Sequence, residues 1–321
     1  MKNFHMVPVM AILLLTTGVL AQESTPISVG NRQLFRIDPQ SPRALQEIFQ
    51  PTGKPFPFVS AHRGGAQKGF PENCIATFEH TLDHSYAILE IDPRYTQDGE
   101  FVIHHDPTLE RTTTGKGTVK DFTLEQLKQL RLKDTEGNVT TFPIPTLTEV
   151  IEWARGKTVL VLDQKDVPAM ERVKAITQLK AEAYVLLIVM NFKDAQACHA
   201  LNSNVMMEVM IPTIEKAKQF DQMGVPWRNV VAFVGHTPPE DRELYAYIHG
   251  KGASCMIGTS RNLDRRILSG AVSDIKELES EYRQFLDRGA DLIETDIPKL
   301  LGKLLNHPTS ASSKSGFFHP K

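Results

Sequence analysis

Three apolar, strand-like runs of this sequence end in side chains that could do chemistry. These ends read His62-Arg63, Glu90-Ile91-Asp92 and Asp163-Gln164-Lys165. Carboxylates can hold a metal ion, cations can hold an anion, and imidazoles can move protons at neutral pH. A charged group at the end of a buried strand is costly unless it is paired or binds a metal. The pattern therefore predicts one shared polar site.

The three acidic residues of this set form a candidate metal site. Side chains alternate along a strand, so Glu90 and Asp92 face the same way. Asp163 can converge on them from the next strand end, and carboxylates that close repel unless a cation lies between them. Oxygen ligands alone favour Ca²⁺ or Mg²⁺. The alternative is a network of ion pairs with nearby cations, namely Arg63, Arg94 and Lys165.

Two histidines are candidates for acid–base catalysis. His62 ends the first of these runs, although a strand-end histidine is also often structural. His104 and His105 are neighbours on an extended segment and must face opposite sides, so only one of them can reach the site. We expect His105 to do so and His104 to be structural or to face solvent.

A turn after the first strand leads into a helical pattern. Asn73 is a plausible N-cap of this helix. Glu72 is either a favourable charge near the helix start or a support behind the residues that touch substrate.

The elements that must position these residues alternate between strands and helices. The predicted strands are Phe58–Ala61, Ile88–Ile91, Val159–Leu162, Val185–Met190, Met206–Ile211, Val230–Val234, Ser254–Ile257 and Leu292–Thr295. Helical patterns separate most of them, which predicts a parallel sheet. Eight strands in about 240 residues favour a closed (β/α)8 TIM barrel, whose active sites lie at the C-terminal rim. The alternative is an open doubly wound sheet, but Gly64-Gly65 alone is too weak a sign of a dinucleotide loop.

A further extended run follows the second strand too closely for a crossover helix. Asp98-Gly99 precedes it and is a strong hairpin signal. We therefore expect Phe101–His105 to form a β-hairpin extension outside the barrel.

The remaining chain divides by composition. Residues 1–21 read as a signal peptide, because Lys2 precedes an apolar run and Val19-Leu20-Ala21 fits a cleavage site. The apolar run is too short for a stable membrane anchor. We expect an exported protein, periplasmic or secreted, with an N-terminal extension over 22–55 that holds one helix near Arg43–Phe49. The barrel domain is expected over 56–302 and a flexible tail over 303–321.

Composition excludes some classes of function. The net charge of −2 comes without a long basic run, so nothing suggests nucleic-acid binding. The 41% hydrophobic content supports a large core. The chain has an odd number of cysteines, Cys74, Cys198 and Cys255, and we expect buried free thiols.

Several motifs, in this order, resemble the glycerophosphodiester phosphodiesterase family. They are His62-Arg63-Gly64, Pro71-Glu72-Asn73, Glu90-Ile91-Asp92, Asp98-Gly99, His105-Asp106, Arg111-Thr112-Thr113, Pro145-Thr146-Leu147, Asp163-Gln164-Lys165 and Ala290–Asp296. The resemblance covers roughly residues 56–302. It implies a (β/α)8 barrel that hydrolyses glycerophosphodiesters to glycerol phosphate and an alcohol. It further implies these roles: a metal held by Glu90, Asp92 and Asp163, acid–base catalysis by His62 and His105, and phosphate binding by Arg63 and Lys165.

The chain departs from the family pattern at three positions and in one segment. Asp163 stands where a glutamate is usual, and Cys74 where a threonine is usual. The seventh strand, Cys255–Asn262, lacks a tryptophan and an asparagine that often lie near the substrate, which bears on the identity of the substrate. Residues 108–146 leave room only for a loop and a helix in place of a small inserted domain.

Two alternatives remain open at this point. A phospholipase D-type or lysophospholipid phosphodiesterase would share the barrel and the histidines but need an apolar groove beside the rim. A phosphodiester-binding protein without turnover would keep the fold alone. In each case we expect a small-molecule partner.

Overall fold

Eight parallel strands close into a barrel. The computed structural model describes residues 1, 33–56, 58–237, 239–240, 242–305 and 315–321. In chain order its strands are β1 (Arg36–Ile37), β2 (Val59–Ala61), β3 (Ala87–Ile91), β4 (Pro93–Tyr95), β5 (Phe101–Ile103), β6 (Leu160–Leu162), β7 (Val185–Val189), β8 (Met206–Met210), β9 (Val230–Phe233), β10 (Ser254–Gly258), β11 (Leu292–Thr295) and β12 (Phe318–His319). The barrel runs β2-β3-β6-β7-β8-β9-β10-β11 and closes from β11 back to β2. Closure confirms the TIM barrel and excludes the open doubly wound sheet.

Both faces of the barrel strands are buried. Alternate residues such as Leu89 and Leu162 pack outward against the helices, and their neighbours Ile88 and Val161 pack inward. Strands covered on both faces need apolar side chains on both, so they read as short continuous apolar runs in the sequence.

Helices surround the barrel and follow most of its strands. They are α1 (Pro42–Ile48), α2 (Ile75–Leu82), α3 (Leu124–Lys128), α4 (Leu147–Ala154), α5 (Ala169–Gln178), α6 (Phe192–Leu201), α7 (Ile214–Asp221), α8 (Arg242–Gly250), α9 (Leu263–Leu268), α10 (Glu279–Arg288) and α11 (Pro298–Leu305). Side-chain caps fix several starts. At α4 the Thr146 hydroxyl accepts from the Glu149 amide at 3.1 Å, and the Glu149 carboxylate accepts from the Thr146 amide at 2.8 Å.

The predicted hairpin lies outside the barrel, as expected. Strands β4 and β5 pair antiparallel, with Tyr95 opposite Phe101. Gly99 in the connecting turn has φ +82°, which glycine adopts at little cost. The hairpin carries the chain from the second barrel strand back to His104 and His105. Residues 108–146 then hold only loops, a 3₁₀ turn and the short α3, as the sequence predicted.

An apolar layer closes the barrel at the end opposite the rim. Helix α1 places Leu45 and Ile48 against the inward barrel residues, and Phe49 packs edge-on against Phe58. The predicted helix near Arg43–Phe49 is therefore present. The predicted signal peptide and residues 22–32 lie outside the described residues.

The C-terminal part differs from the expected flexible tail over 303–321. Helix α11 continues to Leu305, and β12 pairs antiparallel with β1. Phe318 also packs against Phe58 and Tyr86. Apolar contact therefore orders residues 315–321, although the surrounding serines, lysine and prolines suggested a solvated segment.

Two further findings concern the whole described chain. The three cysteines are free and buried, as expected. Among the helices of the described residues, we find none with the length and apolarity needed to cross a bilayer.

Candidate active site

The turn after β2 positions His62 and Arg63 at the rim. Gly64 has φ +80°, and a Cβ at that position would overlap the ring of Phe78, so only glycine fits. Arg63 itself has φ 51°. Its main-chain N–H donates to Glu90 Oε2 at 2.7 Å, which fastens the turn to the next strand.

A cavity of about 860 Å³ opens at this rim. Seven of the side chains singled out from the sequence line it, namely His62, Arg63, Glu72, Glu90, His105, Asp163 and Lys165. Asp92 lies just behind the wall and is fully buried. The strand-end argument therefore placed these residues together correctly.

Glu90, Asp92 and Asp163 form a compact group of carboxylates. One oxygen from each lies within 4.8 Å of the others, which suits a hard divalent cation. Burial and the nearby Asp92 raise the pKa of Glu90 well above its ordinary value. Burial also acts to raise the pKa of Asp92, but Lys165, His105 and the hydrogen bond from Asn73 together outweigh it, and that pKa is lowered. Without a cation, the group thus holds one carboxyl that resists ionisation.

The three cations that we considered as ion-pair partners of these carboxylates make different contacts. Lys165 Nζ lies 2.9 Å from Asp92 Oδ1 and also contacts Asp163. Arg94 instead donates to the main-chain oxygen of His105 at 2.9 Å and pairs with Asp166. Lys165 therefore forms ion pairs of the kind that the alternative interpretation predicted. The guanidinium of Arg63 instead bonds to Glu72 and His105.

Asn73 does not cap α2, contrary to our expectation. Cys74 occupies the cap position, and Asn73 adopts φ 57°. Its side chain instead donates to Asp92 Oδ2 at 2.6 Å and accepts from the Asp92 amide at 3.1 Å. Asn73 thereby fixes the orientation of Asp92, because asparagine tolerates the left-handed backbone that this contact requires.

His62 is paired with a carboxylate that we did not predict. Its Nδ1–H donates to Asp296 Oδ1 at 2.6 Å, directly after β11. Burial lowers the pKa of His62, but the hydrogen bond to Asp296 and the negative charges of Glu294 and Asp296 together outweigh it, and the net pKa is raised. The other ring nitrogen remains for the cavity. The Thr295-Asp296 ending was part of the family resemblance, but this role was not assigned to it.

His105 and His104 face opposite sides, as the strand alternation predicted. His105 lines the cavity, and its Nδ1–H donates to Asp106 Oδ1 at 2.7 Å while Nε2 accepts from Arg63 Nη2 at 2.8 Å. Burial lowers its pKa, so the neutral ring is favoured. His104 is buried, with Nε2 2.9 Å from the Thr112 hydroxyl.

Glu72 links two arginines at the cavity edge. It accepts from Arg63 Nη1 at 3.2 Å, and Arg111 donates to its two oxygens at 2.7 and 2.8 Å. Burial raises the pKa of Glu72, but Arg111 and Arg63 together outweigh it and the net pKa is lowered. The position of Glu72 therefore agrees with a supporting role behind Arg63.

Two inward carboxyls of the cavity were also missed. Glu208 on β8 and Glu294 on β11 line the floor and are nearly fully buried. Burial raises the pKa of Glu294 to about 7 and that of Glu208 well above its ordinary value. The signal was present in the sequence, since each is a lone glutamate inside an apolar strand.

The seventh barrel strand packs closely against a histidine that the sequence did not single out. A Cβ at Gly258 would overlap the imidazole of His236, which lines the cavity. His236 packs edge-on against Phe233, and Asn262 donates to its main-chain oxygen at 2.6 Å. An aromatic ring from the adjoining loop thus fills space that glycine leaves open.

Comparison with known proteins agrees with this geometry. A model of the glycerophosphoryl diester phosphodiesterase family matches residues 62–266, which is more than half of the chain. A glycerophosphodiester phosphodiesterase of Bacillus altitudinis is 28% identical over 252 residues, covering 75% of this chain and 94% of that protein. One of Caldanaerobacter subterraneus subsp. tengcongensis is 44% identical over 104 residues, covering 32% of this chain. The chain therefore spans only 42% of the length of that second relative.

Solved structures show the same architecture. A glycerophosphoryl diester phosphodiesterase from Parabacteroides distasonis superimposes with a TM-score of 0.84 at 39% identity, covering 89% of this chain and 99% of that one. A phosphodiesterase from Oleispira antarctica, solved with the product sn-glycerol-3-phosphate, superimposes with a TM-score of 0.60 at 22% identity, covering 82% and 99%. At 22% identity, the similarity to the Oleispira structure is evidence for the fold alone. On the extent of the family match, this chain belongs to the glycerophosphoryl diester phosphodiesterase family.

Proposed function

We propose that the chain hydrolyses glycerophosphodiesters to glycerol phosphate and an alcohol with the help of a divalent cation. The observation that carries this proposal is one cavity lined by two carboxylate-paired histidines, a carboxylate group and two cations. Family membership supports the reaction class.

Glu90, Asp92 and Asp163 would hold the cation. Their all-oxygen chemistry and mutual proximity fit Ca²⁺ or Mg²⁺. Asp163 is shorter than the usual glutamate, but its carboxylate still lies within the group. When bound, the cation supplies positive charge to the phosphoryl oxygens.

Arg63 and Lys165 would bind the phosphate. Arg63 offers a planar fork of donors and Lys165 a compact charge, and both line the cavity beside the carboxylates. Glu72 orients the guanidinium of Arg63 from behind.

The two histidines have hydrogen-bond partners that suggest different roles. His105 donates through Nδ1 to Asp106, so in the neutral ring Nε2 carries the lone pair, and the lowered pKa favours that form. In this structure Nε2 accepts from Arg63, and it would accept the proton when Arg63 turns to bind the phosphate. His62 is held at Nδ1 by Asp296, and its raised pKa favours the protonated form. We therefore assign His105 as the general base and His62 as the general acid that protonates the leaving alcohol. The attacking group is either water or a glycerol hydroxyl.

A second candidate substrate is a lysophospholipid. Met190 and Leu268 line the mouth of the cavity with 54% and 59% of their surfaces exposed, and Met210 and Phe233 lie in its wall. These apolar side chains could contact an acyl chain beside the phosphate site. The glycerol phosphodiester remains our first proposal, because most of the residues that line the cavity are polar or charged.

We further propose that the protein is exported, on the basis of the signal-like residues 1–21. Mass determination of the N-terminus of the protein recovered from outside the cytoplasm would test this proposal. A chain that still begins at Met1 in the cytoplasm would contradict it.

A substrate panel tests the main proposal. Release of glycerol phosphate from glycerophosphocholine, glycerophosphoethanolamine and glycerophosphoinositol is compared with cleavage of a lysophospholipid, each with and without chelator. We expect chelator-sensitive release from at least one glycerophosphodiester. Cleavage of the lysophospholipid alone would favour the second candidate, and binding without any turnover would identify a phosphodiester-binding protein.

A further inference from the structure

A buried carboxylate behind the cavity joins the structure around His62. Asp264 is the second residue of α9, and its side chain is completely buried. Its two oxygens accept four hydrogen bonds, from Thr259 Oγ1 at 2.7 Å, Tyr282 OH at 2.8 Å, Thr295 Oγ1 at 2.8 Å and the Asp296 amide at 2.7 Å.

These donors belong to separate elements. Thr259 follows β10, Tyr282 lies on α10, and Thr295 and Asp296 end β11. The bonds divide by oxygen: Oδ1 takes the first two donors, and Oδ2 takes the two from the end of β11. Oδ2 therefore fixes the main chain at Asp296.

Asp296 is the residue that holds His62. Its Oδ1 lies 2.6 Å from His62 Nδ1, and its side chain is 31% exposed, so its own surroundings restrain it only in part. We propose that Asp264 is a positioning residue for His62: it fixes the backbone from which Asp296 reaches the imidazole. This inference rests on the catalytic role proposed for His62.

The chemistry of Asp264 supports more than a local structural role. An ionised carboxylate is costly to bury, and burial raises the pKa of Asp264 despite its four bonds. A neutral side chain could cap the start of α9, where Asn262 already accepts from the Leu263 amide. A carboxylate, however, can accept from all four donors at once and holds each more tightly than an amide does.

Asp264→Asn tests the proposal, with Tyr282→Phe as the matched control. The asparagine keeps the shape of the side chain but weakens the bond to the Asp296 amide. The control removes one bond from the same carboxylate, on the oxygen that faces away from Asp296. Activity toward glycerophosphocholine and the imidazole ¹⁵N shifts of His62, in histidine-labelled protein, are measured for both variants.

We expect Asp264→Asn to lower kcat about 10-fold, as loss of an outer hydrogen-bond partner does at other sites, with KM within about twofold. At a pH where the His62 ring is neutral, its nitrogen shifts should move toward a tautomeric mixture. Tyr282→Phe should lower the melting temperature but leave kcat and the shifts unchanged. Asp264→Ala should exaggerate the effects of the asparagine variant, but the test does not depend on its folding.

Two results would overturn the proposal. In the first, both variants lose thermal stability while neither changes kcat or the His62 shifts, so that Asp264 serves the fold alone. In the second, the control changes the shifts as much as Asp264→Asn does. If the wild-type protein cleaves no phosphodiester, the proposed function fails, and the nitrogen shifts still report whether Asp264 positions His62.

Discussion

Lys165 Nζ lies 2.9 Å from Asp92 Oδ1 and also contacts Asp163, so one ammonium group joins two of the three clustered carboxylates. The third, Glu90, instead accepts the main-chain N–H of Arg63. The side chains that we propose to bind phosphate and the candidate metal ligands are thus parts of one connected structure. A change in either should affect both functions.

The first prediction concerns the cation. Excess chelator should abolish hydrolysis, and Ca²⁺ or Mg²⁺ should restore it. Asp163→Asn should weaken cation binding, measured by calorimetry, by at least about 10-fold because one anionic ligand is lost. Glu136→Gln is the control, since Glu136 lines the outer cavity but pairs with Lys68 at 2.8 Å. Full activity in chelator would rule the metal mechanism out.

The second prediction separates the three histidines. His62→Ala and His105→Ala should each lower kcat by about 10²–10⁴-fold, the usual contribution of a general acid or base. His104→Ala should keep kcat within a few-fold. It should cost about 1–3 kcal/mol in the free energy of unfolding, because the buried Thr112 hydroxyl loses its partner. A dead His104 variant beside an active His105 variant would reverse the assignment.

The third prediction concerns stability and pH around Arg111. This arginine lowers the pKa of Asp106 through its hydrogen bonds, and together with Arg63 it offsets burial and lowers the pKa of Glu72. A carboxyl with a lowered folded pKa stabilises the fold above its unfolded pKa, about 4, and this contribution is lost as pH falls through the folded value. Arg111→Met should therefore lower the free energy of unfolding by about 1 kcal/mol at pH 7, and by less below pH 4. The effect is small because Arg111 is half exposed.

Denaturant unfolding of both proteins between pH 2 and 7 measures this difference. Arg266→Met is the control, because the pair that Arg266 makes with Glu281 lies far along the chain from Asp106 and is similarly exposed. If the difference in free energy of unfolding between wild type and Arg111→Met stayed constant down to pH 2, Arg111 would not be what lowers these two pKa values.

The fourth prediction concerns Gly258 and His236. Gly258→Ala should lower activity, because the new methyl group overlaps the imidazole and displaces it from the cavity wall. In the double variant with His236→Ala the methyl has room, so the two effects on kcat/KM should be clearly less than additive. Additive losses would mean that the ring and the strand act independently.

The barrel could be predicted because each strand and turn is recognisable from a short stretch of sequence. The strands are short apolar runs, and the Asp98-Gly99 turn marks the hairpin. Strand ends of a parallel barrel meet at one rim, so His62, Glu90 and Asp163 could be grouped without knowing any side-chain conformation.

The missing parts of the site depend on contacts that spacing does not reveal. His62 and Asp296 are 234 residues apart, and their pairing depends on closure of β11 against β2. Asn73 was wrongly predicted as the N-cap because asparagine is favoured both at helix N-caps and at residues with left-handed backbone, and here it adopts the second and bonds to Asp92. The polar composition of the C-terminal segment suggested a solvated tail, so the strand that contains Phe318 was not predicted.

The pairing of β1 with β12 has a consequence for how the chain is assembled. Strand β1 finds its partner only after residues 318–319 have been synthesised, so the base of the barrel must be among the last regions to close during biogenesis. Contacts this distant in sequence slow folding, because a large loop must close before they form. Until then, a nascent chain would lack the contacts that Phe318 makes with Phe58 and Tyr86. The export that we propose would benefit from that delay, since a chain that has not closed can still be threaded through a translocation channel.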